Sequence, residues 1–306
     1  MKNVLFVLAI SYVLSSCTKS DTAPNPNMSS YDFSDLLPTE NLIDSMIIFH
    51  PVVAYPGVYK FHYTNKQTIK GIYRDDYLYS YRGSDTMFYS SKVDSVRVIG
   101  ENAIVPGLFQ TTTTKYQYSG SLLSRAYNYE DDYYIPSRRQ LGSYISYTNG
   151  SPTNILFKYW EPAYADRDSV TIIIKRKPNY DIDTAKAQGT FSFEYSTTIN
   201  KLNGNANLKI FRYSMLYHPV DFDFYNIEGY NPTLITHTYI NELFYDVLFS
   251  SNFLPSKFNY HPDPFTTLPF YIKYKFNANN YVTSISIGKT AGFNPVTNER
   301  IKITYH

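Results

Sequence analysis

What the chain lacks narrows its function before any motif is sought. It has a single cysteine, Cys17, so no disulfide can form within it. Lys and Arg number 28 against 26 Asp and Glu, a formal net charge of +2. No long basic stripe supplies the electrostatic footprint that a nucleic-acid partner needs. The nearest candidate, Lys175-Arg176-Lys177-Pro178, follows the strand-like Val170–Ile174 and reads as a solvated strand end. No apolar run approaches the roughly 20 residues of a membrane-spanning helix. Gly-x-Ser-x-Gly elbows, His-Glu-x-x-His helices and glycine-rich phosphate loops are all missing. Disorder is excluded too, by 43% apolar residues and a nearly balanced charge.

The first residues form an address. Met1-Lys2-Asn3 is a positive tip, Val4–Leu14 is a short apolar stretch, and Ser15-Ser16 are the small residues of a cleavage point. Leu14-Ser15-Ser16-Cys17 resembles the lipobox of bacterial lipoproteins. That resemblance implies cleavage before Cys17 and a diacylglyceryl group on its sulfur. Several acyl chains, at about 0.8 kcal/mol per buried CH₂, then anchor the chain stably in a membrane. The alternative is an ordinary secretory signal or anchored helix with an incidental cysteine. The organisation expected is a signal peptide at 1–16, a lipidated Cys17 with a polar, Pro-containing tether at 17–32, and a single β-rich domain at 33–306. Thr18 is not the aspartate that commonly retains lipoproteins in the inner membrane. The expected location is therefore the outer membrane, on its periplasmic or cell-surface face. Lys19 and Asp21 faintly resemble the charged export signal of surface lipoproteins. Lipidation leaves no thiol for catalysis, and the domain must be held by its own core.

What is abundant is aromatic: 33 Tyr and 20 Phe against one Trp, Trp160. Tyrosine suits half-buried pleated surfaces, with its ring in the core and its hydroxyl at the wet edge. Period-2 alternation dominates. Phe191, Phe193 and Tyr195 share one phase, as do Val170, Ile172 and Ile174, then Ile272, Tyr274 and Phe276, and finally Ile301, Ile303 and Tyr305. Turn chemistry separates such runs at Asn149–Pro152, Leu202–Asn205 and Asn277–Asn280.

A degenerate hairpin unit recurs: aromatic-x-aromatic, a polar turn, then an aliphatic strand. Phe61-His62-Tyr63 leads to Ile69 and Ile72, Tyr116-Gln117-Tyr118 to Leu122-Leu123, and Ile145-Ser146-Tyr147 to Ile155-Leu156-Phe157. Phe193-Glu194-Tyr195 and Tyr274-Lys275-Phe276 begin two more copies, continuing to Ile199 and to Val282, Ile285 and Ile287. These units, with Ile301–Tyr305 and Leu254-Pro255-Ser256-Lys257, resemble uncharacterised tyrosine-rich lipoproteins of Bacteroidota-type bacteria. More distantly they are similar to the Tyr-Asp repeats of larger surface proteins. The resemblance implies an all-β fold, a large curved antiparallel meander closed in part like a barrel. It implies no activity.

One accessory helix is expected near 236–250, where Tyr239/Ile240, Leu243/Phe244 and Val247/Leu248 recur at helical spacing. Its apolar stripe reads as core packing in preference to a partner's groove. Leu42–Ile48 is expected to be a short helix leading into the sheet.

Chemistry is sparse. His218, Asp221 and Asp223 offer an imidazole and two carboxylates at strand spacing. A polar strand edge explains them better, so no metal or other cofactor is assigned. His261-Pro262-Asp263-Pro264 reads as a rigid turn, since two prolines fix φ. The best ligand contact is Tyr129, Glu130, Asp131, Asp132, Tyr133 and Tyr134. Its rings can stack on sugars while its carboxylates accept hydroxyl hydrogen bonds. Paired carboxylates also suit glycoside hydrolysis, but neighbours in one loop rarely provide the required separation. A solvated loop is the plainer reading, and no catalytic residue is nominated.

Six of the 18 aspartates precede Ser or Thr and then an apolar residue, where composition alone gives about one. The hydroxyls are Thr22, Ser45, Thr86, Ser95, Ser169 and Thr184. The pattern resembles the O-glycosylation sequon of exported Bacteroidota proteins. The competing reading is a side-chain-capped turn just before a strand, at Asp94 and Asp168 above all.

The sequence therefore supports a non-catalytic module binding a glycan or other envelope ligand, with a polysaccharide as partner. The alternative is a structural or assembly partner of an outer-membrane complex, using sheet edges or the helix. An integral membrane barrel fits less well. Strands carrying Glu194, Lys273, Lys275 and Lys302 give no continuous lipid-facing apolar band.

Overall fold

The computed structural model describes residues 42–49, 56–63, 69–76, 81–89, 93–102, 109–120, 122–131, 140–148, 151–161, 164–179, 181–186, 189–203, 247–248 and 251–306. Among them are sixteen strands. The first eight are β1 (Ile43–Ile48), β2 (Gly57–Tyr63), β3 (Ile69–Asp76), β4 (Tyr81–Tyr89), β5 (Val93–Asn102), β6 (Phe109–Ser119), β7 (Leu122–Asp131) and β8 (Gln140–Thr148). The second eight are β9 (Ser151–Glu161), β10 (Tyr164–Arg176), β11 (Ile182–Lys186), β12 (Thr190–Ile199), β13 (Phe253–His261), β14 (Leu268–Phe276), β15 (Val282–Gly288) and β16 (Glu299–Tyr305).

Each strand pairs antiparallel with its sequence neighbours, and β1 closes the circle by pairing with both β16 and β2. The all-β antiparallel meander expected from sequence is thus present, and its closure is complete rather than partial. Antiparallel alternation gives two rims. Odd-numbered strands start, and even-numbered strands end, at the rim where β1 begins and β16 finishes. We call it the terminal rim and the other the far rim.

Alternation decides the two faces. Ile43, Met46, Ile48, Tyr59, Phe61, Ile172, Ile174, Phe193, Phe258, Ile272, Ile285, Ile301 and Ile303 are all buried. Between them Lys60, Lys175, Asp183, Glu194, Lys275 and Lys302 are exposed. Among the described side chains the packed face is the apolar one and the wet face is the charged one. A barrel that turns its apolar face to lipid has these the other way round. Aromatic rungs hold β12, β13 and β14 together. Phe193 pairs with Phe258 and Phe258 with Phe270, and the Phe258 and Phe270 rings stack at 4.6 Å. Burying each such side chain stabilises the fold by about 1.5–3 kcal/mol.

Four hairpin expectations match the ladder. Phe61 pairs with Ile72 and Ile145 with Ile155. Tyr116–Tyr118 on β6 turns into β7 through Gly120, whose φ of 63° favours glycine. Tyr274 pairs with Ile285, across a turn in which Asn277 Oδ1 accepts the N–H groups of Asn279 and Tyr281 at 3.0 and 2.9 Å.

Three expectations are corrected. Leu42–Ile48 is not a helix: Ile43–Ile48 is strand β1, and the β-branched and apolar residues Ile43, Met46 and Ile48 fit the pleat between β2 and β16. Phe193–Tyr195 and Ile199 are not two arms of a hairpin but one strand, β12, with ladder irregularities at Glu194/Tyr195 and Tyr195/Ile199. The Asp-Ser and Asp-Thr pairs starting at Asp44, Asp85, Asp94, Asp168 and Asp183 do not sit in turns before strands. All five lie within strands, in β1, β4, β5, β10 and β11. Of the expected helix near 236–250, Val247 and Leu248 are described. Both are helical and fully buried.

Candidate functional site

The terminal rim shows what the tyrosines do. Tyr63 Oη donates to the Ile43 carbonyl at 2.6 Å, and Tyr195 Oη to that of Ile182 at 2.9 Å. Tyr274 Oη donates to the Pro255 carbonyl at 2.7 Å, and Tyr305 Oη to that of Val282 at 2.8 Å. One register rule covers all four. Ser45 faces Lys60, Thr184 faces Ser192, Lys257 faces Tyr271 and Ser284 faces Lys302. Counting two residues along each ladder, every acceptor lies opposite the residue just before its tyrosine. Each bond ties the finish of an even strand to the odd strand before it, closing the open end of a hairpin whose turn lies at the far rim. Burial pushes the phenols of Tyr63, Tyr274 and Tyr305 above their ordinary range.

Beside these clasps lies a buried polar knot. Asp181 Oδ1 accepts the Asn252 N–H at 2.6 Å and Oδ2 accepts Asn179 Nδ2 at 2.8 Å. Asn200 Nδ2 donates to the Leu248 and Ser251 carbonyls at 2.6 and 2.9 Å, and its Oδ1 accepts the Leu202 N–H at 3.0 Å. Ser251 Oγ reaches Tyr195 Oη at 3.3 Å. The knot fastens the β10–β11 turn to the end of β12 and the start of β13. Burial raises the Asp181 carboxyl against the pull of the donors from Asn252, Asn179 and Phe253 and of the Lys177 charge. Its carboxylate oxygens are occupied by fold-holding donors, so it reads as structural.

The far rim is built differently. In the β13–β14 turn, Asp263 Oδ1 accepts the N–H groups of Phe265 and Thr266, both at 2.8 Å. A hydrogen bond from the Thr266 side chain, together with these backbone donors, holds the Asp263 carboxyl below its ordinary range. This turn, stiffened by Pro262 and Pro264, presents Phe265 with 95% of its surface exposed. The β15–β16 connection folds back on the sheet. Phe293 sits on Gly288, where an added Cβ would meet its ring at 2.2 Å. Lys273 Nζ donates to the Phe293 carbonyl at 2.9 Å and lies 4.5 Å from its ring centre. Ser286 Oγ donates to the Pro295 carbonyl at 2.8 Å. Asn294 Oδ1 accepts the N–H of Val296 at 3.0 Å, and Val296 is 68% exposed. An open hollow of about 370 Å³ lies here, lined by Phe270, Ile287, Gly288, Lys289, Thr290, Phe293 and Asn298.

Of the sequence-nominated ligand residues, Tyr129, Glu130 and Asp131 are not in a loop. They are the last residues of β7, paired with Thr113, Thr112 and Thr111, at the far rim. Asp132, Tyr133 and Tyr134 lie outside the described residues, as do Cys17, Thr22, His218, Asp221 and Asp223. Ser45 and Thr184 are half-buried ladder residues. Among the described residues no three His, Cys, Asp or Glu side chains gather as a metal site. Sequence reasoning recognised the rigid 261–264 turn but missed Phe265 immediately after it. It also missed the Asn294-Pro295-Val296 turn, whose composition was signal enough.

No protein-family model matches the chain, and no curated protein matches it. It is similar to a porin-like protein from Bacteroides uniformis, at 11% identity over 88% of this chain and 99% of that one, with a TM-score of 0.47. A porin-like protein from Bacteroides vulgatus is 11% identical over 87% of this chain and 99% of its own, with a TM-score of 0.33. At these values neither likeness decides anything about this chain.

Proposed function

We propose that this chain is a lipid-anchored, non-catalytic protein of the cell envelope that acts as an assembly partner through its far rim. The observation carrying this reading is the direction of the tyrosines. Every tyrosine whose side chain is described is buried or half-buried, and four spend their hydroxyls on backbone carbonyls. A row of open rings on the sheet, which glycan stacking needs, is not found among them. Closure of the barrel also removes the sheet edges by which a partner strand would add. Val247 and Leu248 are covered, so these two helical residues offer a partner nothing. The two most exposed large apolar side chains among the described residues, Phe265 and Val296, are both at the far rim, while Ile173 and Phe276 toward the terminal rim are 48% and 41% exposed. β1 begins at the opposite, terminal rim.

The test is photo-cross-linking in intact cells from probes at Thr266 and Thr297. Reproducible capture of one envelope protein, lost with Phe265→Ala, supports the reading. Capture from probes at Lys60 or Lys302 alone overturns it, because the contact then lies on the barrel wall. A second reading, glycan binding, is favoured by the placement of Tyr129, Glu130 and Asp131 where β7 reaches the same rim. Retardation of the chain by one polysaccharide in affinity electrophoresis, abolished by alanine at Tyr129, Tyr133 and Tyr134, would put that reading first.

A further inference from the structure

We propose that the far rim is self-complementary, so that a second copy of this chain inserts its Phe265 into the Phe270–Ile287–Phe293 hollow while its Asp263 meets Lys289. The inference rests on the far rim being a docking surface, and it names the partner.

Three observations on the same rim carry it. The first is a preorganised knob. Phe265 is 95% exposed, yet its turn is held by two prolines and two hydrogen bonds to Asp263. A rigid aromatic tip loses little entropy on binding, which is how interface anchors gain their strength. The second is a hole of the right kind. The hollow of about 370 Å³ is lined by Phe270, Ile287 and Phe293, the same chemistry as the knob. A dry cavity of about 150 Å³ already accepts benzene, so a phenyl ring has room. The third is charge. Among the described residues the one charged side chain lining the hollow is Lys289, and the one in the knob's turn is Asp263, two residues before Phe265. Acid on the knob and base at the hole are matched by another copy of the same surface. A two-fold axis then makes both contacts at once and closes the assembly at two chains. A bilayer surface is a poorer occupant, because insertion of Phe265 would carry the Asp263 carboxylate toward lipid headgroups and apolar chains.

Sedimentation velocity of the full lipidated chain in a mild non-ionic detergent tests this, using wild type, Phe265→Ala and Lys289→Glu. Wild type is expected to dimerise, and each variant to dissociate at least tenfold more readily with its thermal midpoint unchanged. The decisive sample is the mixture of the two variants. Phe265→Ala keeps a sound hole and Lys289→Glu keeps a sound knob, so the mixture regains one contact of two and part of the association. A wild-type chain that stays monomeric overturns the proposal, as does a dimer indifferent to both substitutions or a mixture that regains nothing. If the chain is monomeric while cells show a single cross-linked partner at Thr266 and Thr297, self-docking fails and the assembly reading stands.

Discussion

Tyr305 Oη donates its hydrogen to the carbonyl of Val282 at 2.8 Å, tying the last strand to the first residue of the strand before it. Tyr63 makes the same bond to Ile43, the first residue of β1, so the clasp occurs on both sides of the seam where the barrel closes. Each clasp satisfies a carbonyl near a strand start, where ladder partners run out.

Replacing Tyr63, Tyr195, Tyr274 or Tyr305 with Phe keeps the ring and deletes the bond. Each change is expected to cost about 1 kcal/mol. The clasps of Tyr63 and Tyr195, on hairpins well separated in the strand order, should add. Urea unfolding of the four single variants and one double variant checks this. A series indistinguishable from wild type would reduce the clasps to incidental contacts.

The same phenols predict behaviour in alkali. Their native pKa values are raised by burial, most completely at Tyr274. The native state therefore holds protons that the unfolded chain releases near pH 10. The stabilisation is present below that value and is lost as pH rises through the native values. Spectrophotometric titration should show a set of tyrosines silent above pH 10 that ionise together when the fold collapses.

Asp181 should govern part of the acid range. Its native pKa is raised above the ordinary carboxylate value by burial. Its contribution is full below the unfolded pKa and falls as pH climbs through the native one. Asp181→Asn is expected to flatten stability against pH in that interval, read from unfolding midpoints between pH 3 and 7. An unchanged slope would show that another group sets it.

Gly288 has no room for a side chain. A Cβ there meets Phe293 Cγ at 2.2 Å and its Cβ and Cδ1 at 2.6 Å. Gly288→Ala is expected to cost about 1–3 kcal/mol as an overpacked site. Pairing it with Phe293→Ala should recover most of the cost that the first change adds, as a double-mutant cycle would reveal.

Cys17→Ser tests the address. The variant should lose the lipid and, still bearing its signal segment, fail to be processed to the mature chain. Metabolic labelling with a fatty acid and detergent partitioning read both effects.

Much of the fold was legible in the residues. The alternations Phe191/Phe193, Ile272/Tyr274 and Ile301/Ile303 marked faces because strand side chains repeat every two residues. The Asn277–Asn280 and Gly120 turns were legible because few residues adopt those conformations at low cost. Leu42–Ile48 was misread because a short apolar run has the same appearance in a buried strand and a helix turn. Only its pairing with β2 and β16 distinguishes them. The candidate site was less legible: 261–264 was recognised as rigid, but exposure of Phe265 depends on what the rest of the rim leaves uncovered.

By itself the sequence determined the all-β class and the alternation of the strand faces, since these follow from local chemistry and a two-residue period. Tertiary structure decided that the meander closes, because closure depends on β1 meeting β16 more than 250 residues away along the chain. It also decided that Tyr63, Tyr195, Tyr274 and Tyr305 serve as clasps, a role set by register between strands. The pairing of a rigid Phe265 knob with a Lys289-edged hollow arises in the same way, from two connections that only the barrel brings to one rim.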